Sequence, residues 1–125
     1  MRTHVECTIG DVLQQVKDSC IALHMNPQAI FADGEWHVYV PYLPEVDFQL
    51  TTPCCVTPPP TFNDETDEEI IPDFALQRGM DGSVMADMIQ DVVISVLRQR
   101  PDASLEDILF ALNYYDVNDA FYQFN

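Results

Sequence analysis

From Val84 to Leu97 apolar side chains recur every three or four positions: Val84, Met85, Met88, Ile89, Val92, Val93, Val96 and Leu97. That period puts them on one broad stripe of a helix, with Asp81-Gly82-Ser83 as a capping region before it and Pro101 as a stop behind it. A stripe of this width must be buried, so the rest of the chain has to supply surfaces that cover it.

Both ends of the chain supply them. Thr8 and Asp11 form a capping box with Asp in place of Glu, and Ile9, Val12, Leu13, Val16, Cys20, Ile21 and Leu23 follow at helical spacing. This predicts a first helix over Ile9 to His24. Ser104 with Asp107 repeats the device ahead of Leu105, Ile108, Leu109 and Leu112. The aromatic-rich Tyr114 to Phe124 reads as a short final helix or turn. Val117, Phe121 and Phe124 are expected to face inward there, and Tyr114 or Tyr122 to be exposed.

Between the helices the period changes to two. In Glu35 to Pro41, Trp36, Val38 and Val40 alternate with Glu35, His37 and Tyr39, which predicts a strand with one dry and one wet face. Ala29 to Ala32 is expected to pair with it as a hairpin, because Asp33-Gly34 between apolar runs favours a type I′ turn. Phe48 to Leu50 and Cys54 to Thr57 are weaker strands, which Pro53 confines to edges. The chain therefore reads as α+β, a small antiparallel sheet covered by N-terminal and C-terminal helices. It forms a single domain over 1–125, with a Pro-rich, acidic loop at about 57–70.

Charge narrows function more than it narrows fold. Twenty-one carboxylates face five Lys and Arg, a formal charge of −16 on 125 residues. A field of that size repels nucleic acid and anionic membrane and attracts basic surfaces. At 47% hydrophobic and 10% aromatic the chain nevertheless has the material for a core. No run of about 18 apolar residues is available to span a bilayer, and the first residues lack the pattern of a secretory signal. Cys7, Cys20, Cys54 and Cys55 do not have disulfide-framework spacing and read as reduced thiols. The expectation is a cytoplasmic protein.

Five of the carboxylates, Asp64, Glu65, Asp67, Glu68 and Glu69, are packed behind Pro58-Pro59-Pro60. If that stretch is extended, Glu65, Asp67 and Glu69 point the same way about 6.6 Å apart, close to a phosphate step. Asp87 and Asp91 add a pair one helical turn apart. A merely solvated loop is the competing reading for any single charge run, but five basic residues are too few to neutralise the acids locally. The candidate partner-binding residues are thus Asp64, Glu65, Asp67, Glu68, Glu69, Asp87 and Asp91.

Rival chemistries lack an anchor. The block has neither the spaced carboxylates nor the closing Glu of a calcium loop. His4-x-x-Cys7 and Cys20-x-x-x-His24 have nothing to fix one pair against the other as a zinc site. No nucleophile elbow occurs, and Gly79-Met80-Asp81-Gly82 is too short and too acidic to cradle phosphate. No catalytic residue, metal or cofactor is expected.

Gln90-Asp91-Val92, Arg98-Gln99-Arg100-Pro101-Asp102, Leu105-Glu106-Asp107, Ala111, Tyr114-Tyr115 and Asn118-Asp119-Ala120-Phe121 resemble the ending of small, acidic, uncharacterised bacterial proteins. The resemblance covers the C-terminal third and implies a bacterial or phage setting, where such proteins are similar to immunity proteins, antitoxins or phage inhibitors. With the charge, it leads to an expected non-enzymatic inhibitor of immunity or antitoxin type. Its partner would be a basic protein, a nuclease toxin or other nucleic-acid-binding protein, with no direct binding of nucleic acid or membrane. A phage DNA mimic of anti-restriction or anti-CRISPR type is the first alternative, and a small metal-binding or enzymatic domain the second.

Overall fold

The computed structural model describes residues 1–33, 35–42 and 47–124. Along the chain run β1 (Val5–Thr8), α1 (Ile9–Ala22), α2 (Pro27–Ala32), β2 (His37–Val40), β3 (Pro53–Thr57), β4 (Thr61–Phe62), β5 (Glu69–Ile70), α3 (Asp73–Leu76), β6 (Gly82–Met85), α4 (Ala86–Gln99) and α5 (Leu105–Asn118). The fold is α+β. Four antiparallel strands in the order β1-β3-β2-β6 make the main sheet, and β4 with β5 makes a separate small hairpin.

The three long helices pack as their sequence period dictates, and α1 and α5 start at their expected caps. Thr8 Oγ1 accepts from the Asp11 backbone N–H at 3.2 Å, while Asp11 Oδ2 accepts from Thr8 N–H at 3.0 Å. Ser104 and Asp107 close the same reciprocal box on α5 at 3.2 and 3.3 Å. Each box satisfies donors that a helix start leaves orphaned. Ile9, Leu13, Ile89, Val93, Ile108 and Leu112 meet in one core with Val38, Val40, Cys54, Val56 and Val84 of the sheet.

Four local expectations are overturned. Ala29 to Ala32 is not a hairpin strand but the end of α2, because Asn26 Oδ1 accepts from the Gln28 and Ala29 N–H groups and Pro27 sits at the first helical position. The Gly34 half of the proposed type I′ turn lies outside the described residues. Gly82 to Met85 is not a helix cap and first turn but β6, and α4 begins at Ala86. Gly82 is needed there by close approach: a Cβ would lie 3.0 Å from Val40 Cγ2 and 3.1 Å from Val40 O on β2. Cys54 to Thr57 is not on an edge either, since β3 sits between β1 and β2. Pro53 is tolerated as its first residue, opposite Thr8 and beyond the stretch that pairs with β2. Phe48 to Leu50 is no strand; Phe48 N–H instead donates to Asn113 Oδ1 at 2.9 Å.

At the C-terminus, α5 continues to Asn118 and ends with Asp119 in the left-handed region at φ 51°. The inward stripe of Ile108 and Leu112 therefore extends to Tyr115, and Val117, two positions on, falls on the opposite side, 75% exposed. Phe121 is exposed as well. The tail folds back so that Tyr122 and Phe124 pack on the core, with Gln99 donating to Tyr122 O and accepting from Phe124 N–H. Tyr114 is half-buried, its ring 5.1 Å from that of Tyr122. Of the three aromatic and apolar residues expected to face inward, only Phe124 does.

Candidate functional site

The strand expected to have one wet face has none: all four residues of β2 are buried. Val38 and Val40 point to the helices, whereas Tyr39 joins Cys55, Ala75 and Met80 in a second, smaller cluster under α3. His37 shares the Tyr39 face of the strand, and its ring lies 4.9 Å from the tyrosine ring. The β4–β5 hairpin and the four-residue α3 cover this face.

That hairpin decides the geometry of the acidic block. Asn63 Oδ1 accepts from the N–H groups of Glu65 (2.8 Å) and Thr66 (3.1 Å), Asp67 N–H donates to Asn63 O, and Asn63 N–H donates to Glu68 O. The chain turns back on itself at Asp64 to Glu68, with Asp67 in the left-handed region at φ 59°. The row that an extended stretch would make of Glu65, Asp67 and Glu69, and with it the phosphate-like step of about 6.6 Å, is therefore absent, because an asparagine side chain has captured the backbone donors that an extended strand would leave free. Asp64, Glu65, Asp67 and Glu68 stand exposed at the hairpin tip.

Glu69 is separated from them by its place in β5. Its Oε1 accepts from Ser83 Oγ at 3.2 Å and lies 3.9 Å from His37 Nε2, which itself meets Ser83 Oγ at 2.6 Å. With the serine hydrogen directed at the carboxylate, the imidazole must donate from Nε2. A histidine that donates to the serine cannot also remove its proton, and the carboxylate lies on the serine side of the ring rather than behind it, so the trio lacks the order of a nucleophilic triad. Burial pushes the His37 pKa down, and the Glu69 charge pulls it partly back up. The Tyr39 hydroxyl is buried without a hydrogen-bond partner within 3.5 Å among the described residues, and burial, then the nearby Glu69 carboxylate through its charge and a long contact with the hydroxyl, push its ionisation up.

Glu69 also meets the second candidate group. A hollow of about 380 Å³ opens between β6, the hairpin and the start of α4, and both Glu69 and Asp87 line it, with Phe62 and Met85 as apolar walls. Phe62 and Met85 are 58% and 57% exposed. Asp87 lies in the first turn of α4, where a negative charge complements the helix dipole. Asp91 follows one turn later, also exposed, and burial together with the nearby Asp87 charge raises its pKa. Structure thus brings Glu69 and Asp87 to one hollow, continues the face to Asp91, and holds Asp64 to Glu68 on the hairpin beside it.

No carboxylate of Asp64 to Glu68, Asp87 or Asp91 is paired with a Lys or Arg among the described residues. Arg78 lies 3.2 Å from Glu6 and Arg100 3.8 Å from Asp107. Lys17 is committed to the Ala103 carbonyl. Also among the described residues, no three His, Cys, Asp or Glu side chains converge as a metal-binding group, and no helix is long and apolar enough to cross a membrane.

His37, Ser83 and Met85 were missed by sequence reasoning. The alternation of Ser83 and Met85 around Val84 was the available signal, masked because the same residues also fit the helical period of α4.

Fold and site define the class: a small acidic α+β domain with an unneutralised, partly apolar face. Residues 6–124 match the DUF7716 domain, a domain of unknown function, and the chain belongs to that family. The match spans nearly the whole chain, well beyond the C-terminal third that carries the sequence resemblance. Neither a curated protein nor a solved structure matches it.

Proposed function

We propose that this protein is a non-enzymatic acidic binding protein, an inhibitor of the immunity or antitoxin type that occupies a basic, nucleic-acid-processing partner in the cytoplasm. One observation carries the reading: carboxylates with no Lys or Arg partner among the described residues stand beside exposed apolar side chains, Glu69 and Asp87 next to Phe62 and Met85, at a single hollow. Charges that served only solubility would be spread over the surface and balanced by local cations. Exposed apolar groups within a charged rim are instead the composition of a protein interface.

The mechanism is steering followed by desolvation. The −16 charge accelerates encounter with a basic surface, and burial of Phe62 and Met85 then slows release. The test is kinetic: the association rate with a basic partner recovered from native lysate, measured at rising ionic strength. Association is expected to slow more than dissociation quickens. An association rate independent of salt contradicts the reading.

A further inference from the structure

Sheet edges are where unpaired backbone donors and acceptors await a further strand. The main sheet has two edges, β1 and β6, and they differ. Neither of the hollows that flank β6 borders β1, and its Glu6 is engaged by Arg78. Strand β6 has a hollow on each of its faces. On the hairpin side lies the one of about 380 Å³, with Glu69 and Asp87 at its rim. On the helix side, between β6, Phe48 and Met88, lies another of about 390 Å³, with the exposed Asp47 and Asp116 at its rim. Ser83 and Met85 border both. Beyond β2, no strand pairs with β6 among the described residues.

Each hollow therefore combines apolar walls with two carboxylates at the mouth. That is the environment a Lys or Arg side chain fits, laying its methylene stem along the walls and its charged head against the acids. An exposed aromatic ring stands at each, Phe62 in one and Tyr42 in the other, available to a guanidinium face. Successive side chains of a strand point to opposite faces, so a strand added to β6 would send alternate residues into alternate hollows.

Resting on the proposed basic partner, we infer that the outer edge of β6 is a strand-addition site for an extended segment of that partner, with basic side chains an odd number of positions apart so that one enters each hollow. A second copy of this chain is a poor occupant, because pairing β6 with β6 would bring like-charged rims together.

The parity of the spacing supplies the test. Two short threonine-rich peptides of equal charge, one with adjacent arginines and one with arginines two positions apart, are titrated into the isotope-labelled full-length protein. The adjacent pair is expected to bind roughly tenfold more tightly and to shift the amides of Gly82 to Met85. The double variant Glu69→Gln and Asp47→Asn, which keeps hydrogen-bonding capacity at both positions, is expected to erase that preference. Equal affinity with β6 amides unmoved overturns the edge assignment while leaving the acidic-binding reading intact. Failure of both peptides to bind overturns the two together. Self-association through β6 overturns the assigned occupant.

Discussion

On the helix side of the sheet stand Val38, Val40, Cys54, Val56 and Val84, closed over by α1, α4 and α5; on the other side stand His37, Tyr39, Thr57 and Ser83, under a four-residue helix and a short hairpin. The first face presents only apolar side chains and a thiol, and the one buried polar side chain in the helical layer over it, among the described residues, is Gln90, whose Nε2 donates to Ile30 O. The second retains a histidine whose hydrogen bond runs through Ser83 to Glu69 and a tyrosine hydroxyl with no partner among the described residues. Unsatisfied buried polar groups cost stability on either side, and the Gln90 Oε1 also lacks a partner among the described residues; what distinguishes the hairpin side is that its polar groups lie on the sheet itself and run out to Glu69 at the hollow.

That comparison can be broken in order of size. Leu112→Ala, on the helix side, is expected to cost about 3 kcal/mol, because Leu112 is fully buried and the cavity can close only in part. Urea unfolding checks the loss, and binding per folded molecule is expected to stay unchanged. Tyr39→Phe, on the hairpin side, is expected to be neutral or stabilising by about 1 kcal/mol, since it removes a hydroxyl that is desolvated with no more than a long contact to Glu69 in return. A loss as large as that of Leu112→Ala would erase the distinction between the faces.

Acid gives a smaller contrast. Burial holds His37 below its ordinary value of 6.5, so as pH falls the unfolded chain takes up the proton first. Stability from this group is constant above 6.5 and is lost below it until the folded-state pKa is passed. Asp91 has the opposite sign: its pKa is raised above 3.8, so protonation relieves a folded-state penalty as acid is added. The urea midpoint of the native protein is expected to fall relative to His37→Gln below pH 6.5. Asp91→Asn is expected to raise stability slightly near neutral pH.

What sequence revealed follows the range of the interactions. Helices α1, α4 and α5 were legible because their stripes and the Thr8/Asp11 and Ser104/Asp107 boxes are local, set by residues three or four apart. Strands β1 and β6 were not, since four residues carry little pattern and their pairing is with distant segments. Asn26 and Asn63 each redirected a backbone through one side-chain oxygen, turning an expected strand into α2 and an expected acidic loop into an ordered hairpin tip. The acidic residues themselves were visible at once. Their meeting with His37, Ser83 and Met85 was not, because it depends on how β6 lies beside β2 and how the β4–β5 hairpin folds over them.

The central claim is that the carboxylates around β6 and the β4–β5 hairpin bind and that those remote from them, on α1 and around the start of α5, do not. Glu65→Gln, Asp67→Asn and Glu69→Gln together remove three charges from the first; Asp18→Asn, Asp102→Asn and Glu106→Gln remove three exposed charges from α1 and the approach to α5. The measurement is the association rate of both triple variants with the basic partner at low ionic strength. The hairpin variant is expected to associate roughly tenfold more slowly than the helical one, which stays near the native rate. Equal rates for the two would show that only total charge matters and would contradict the assignment of the site.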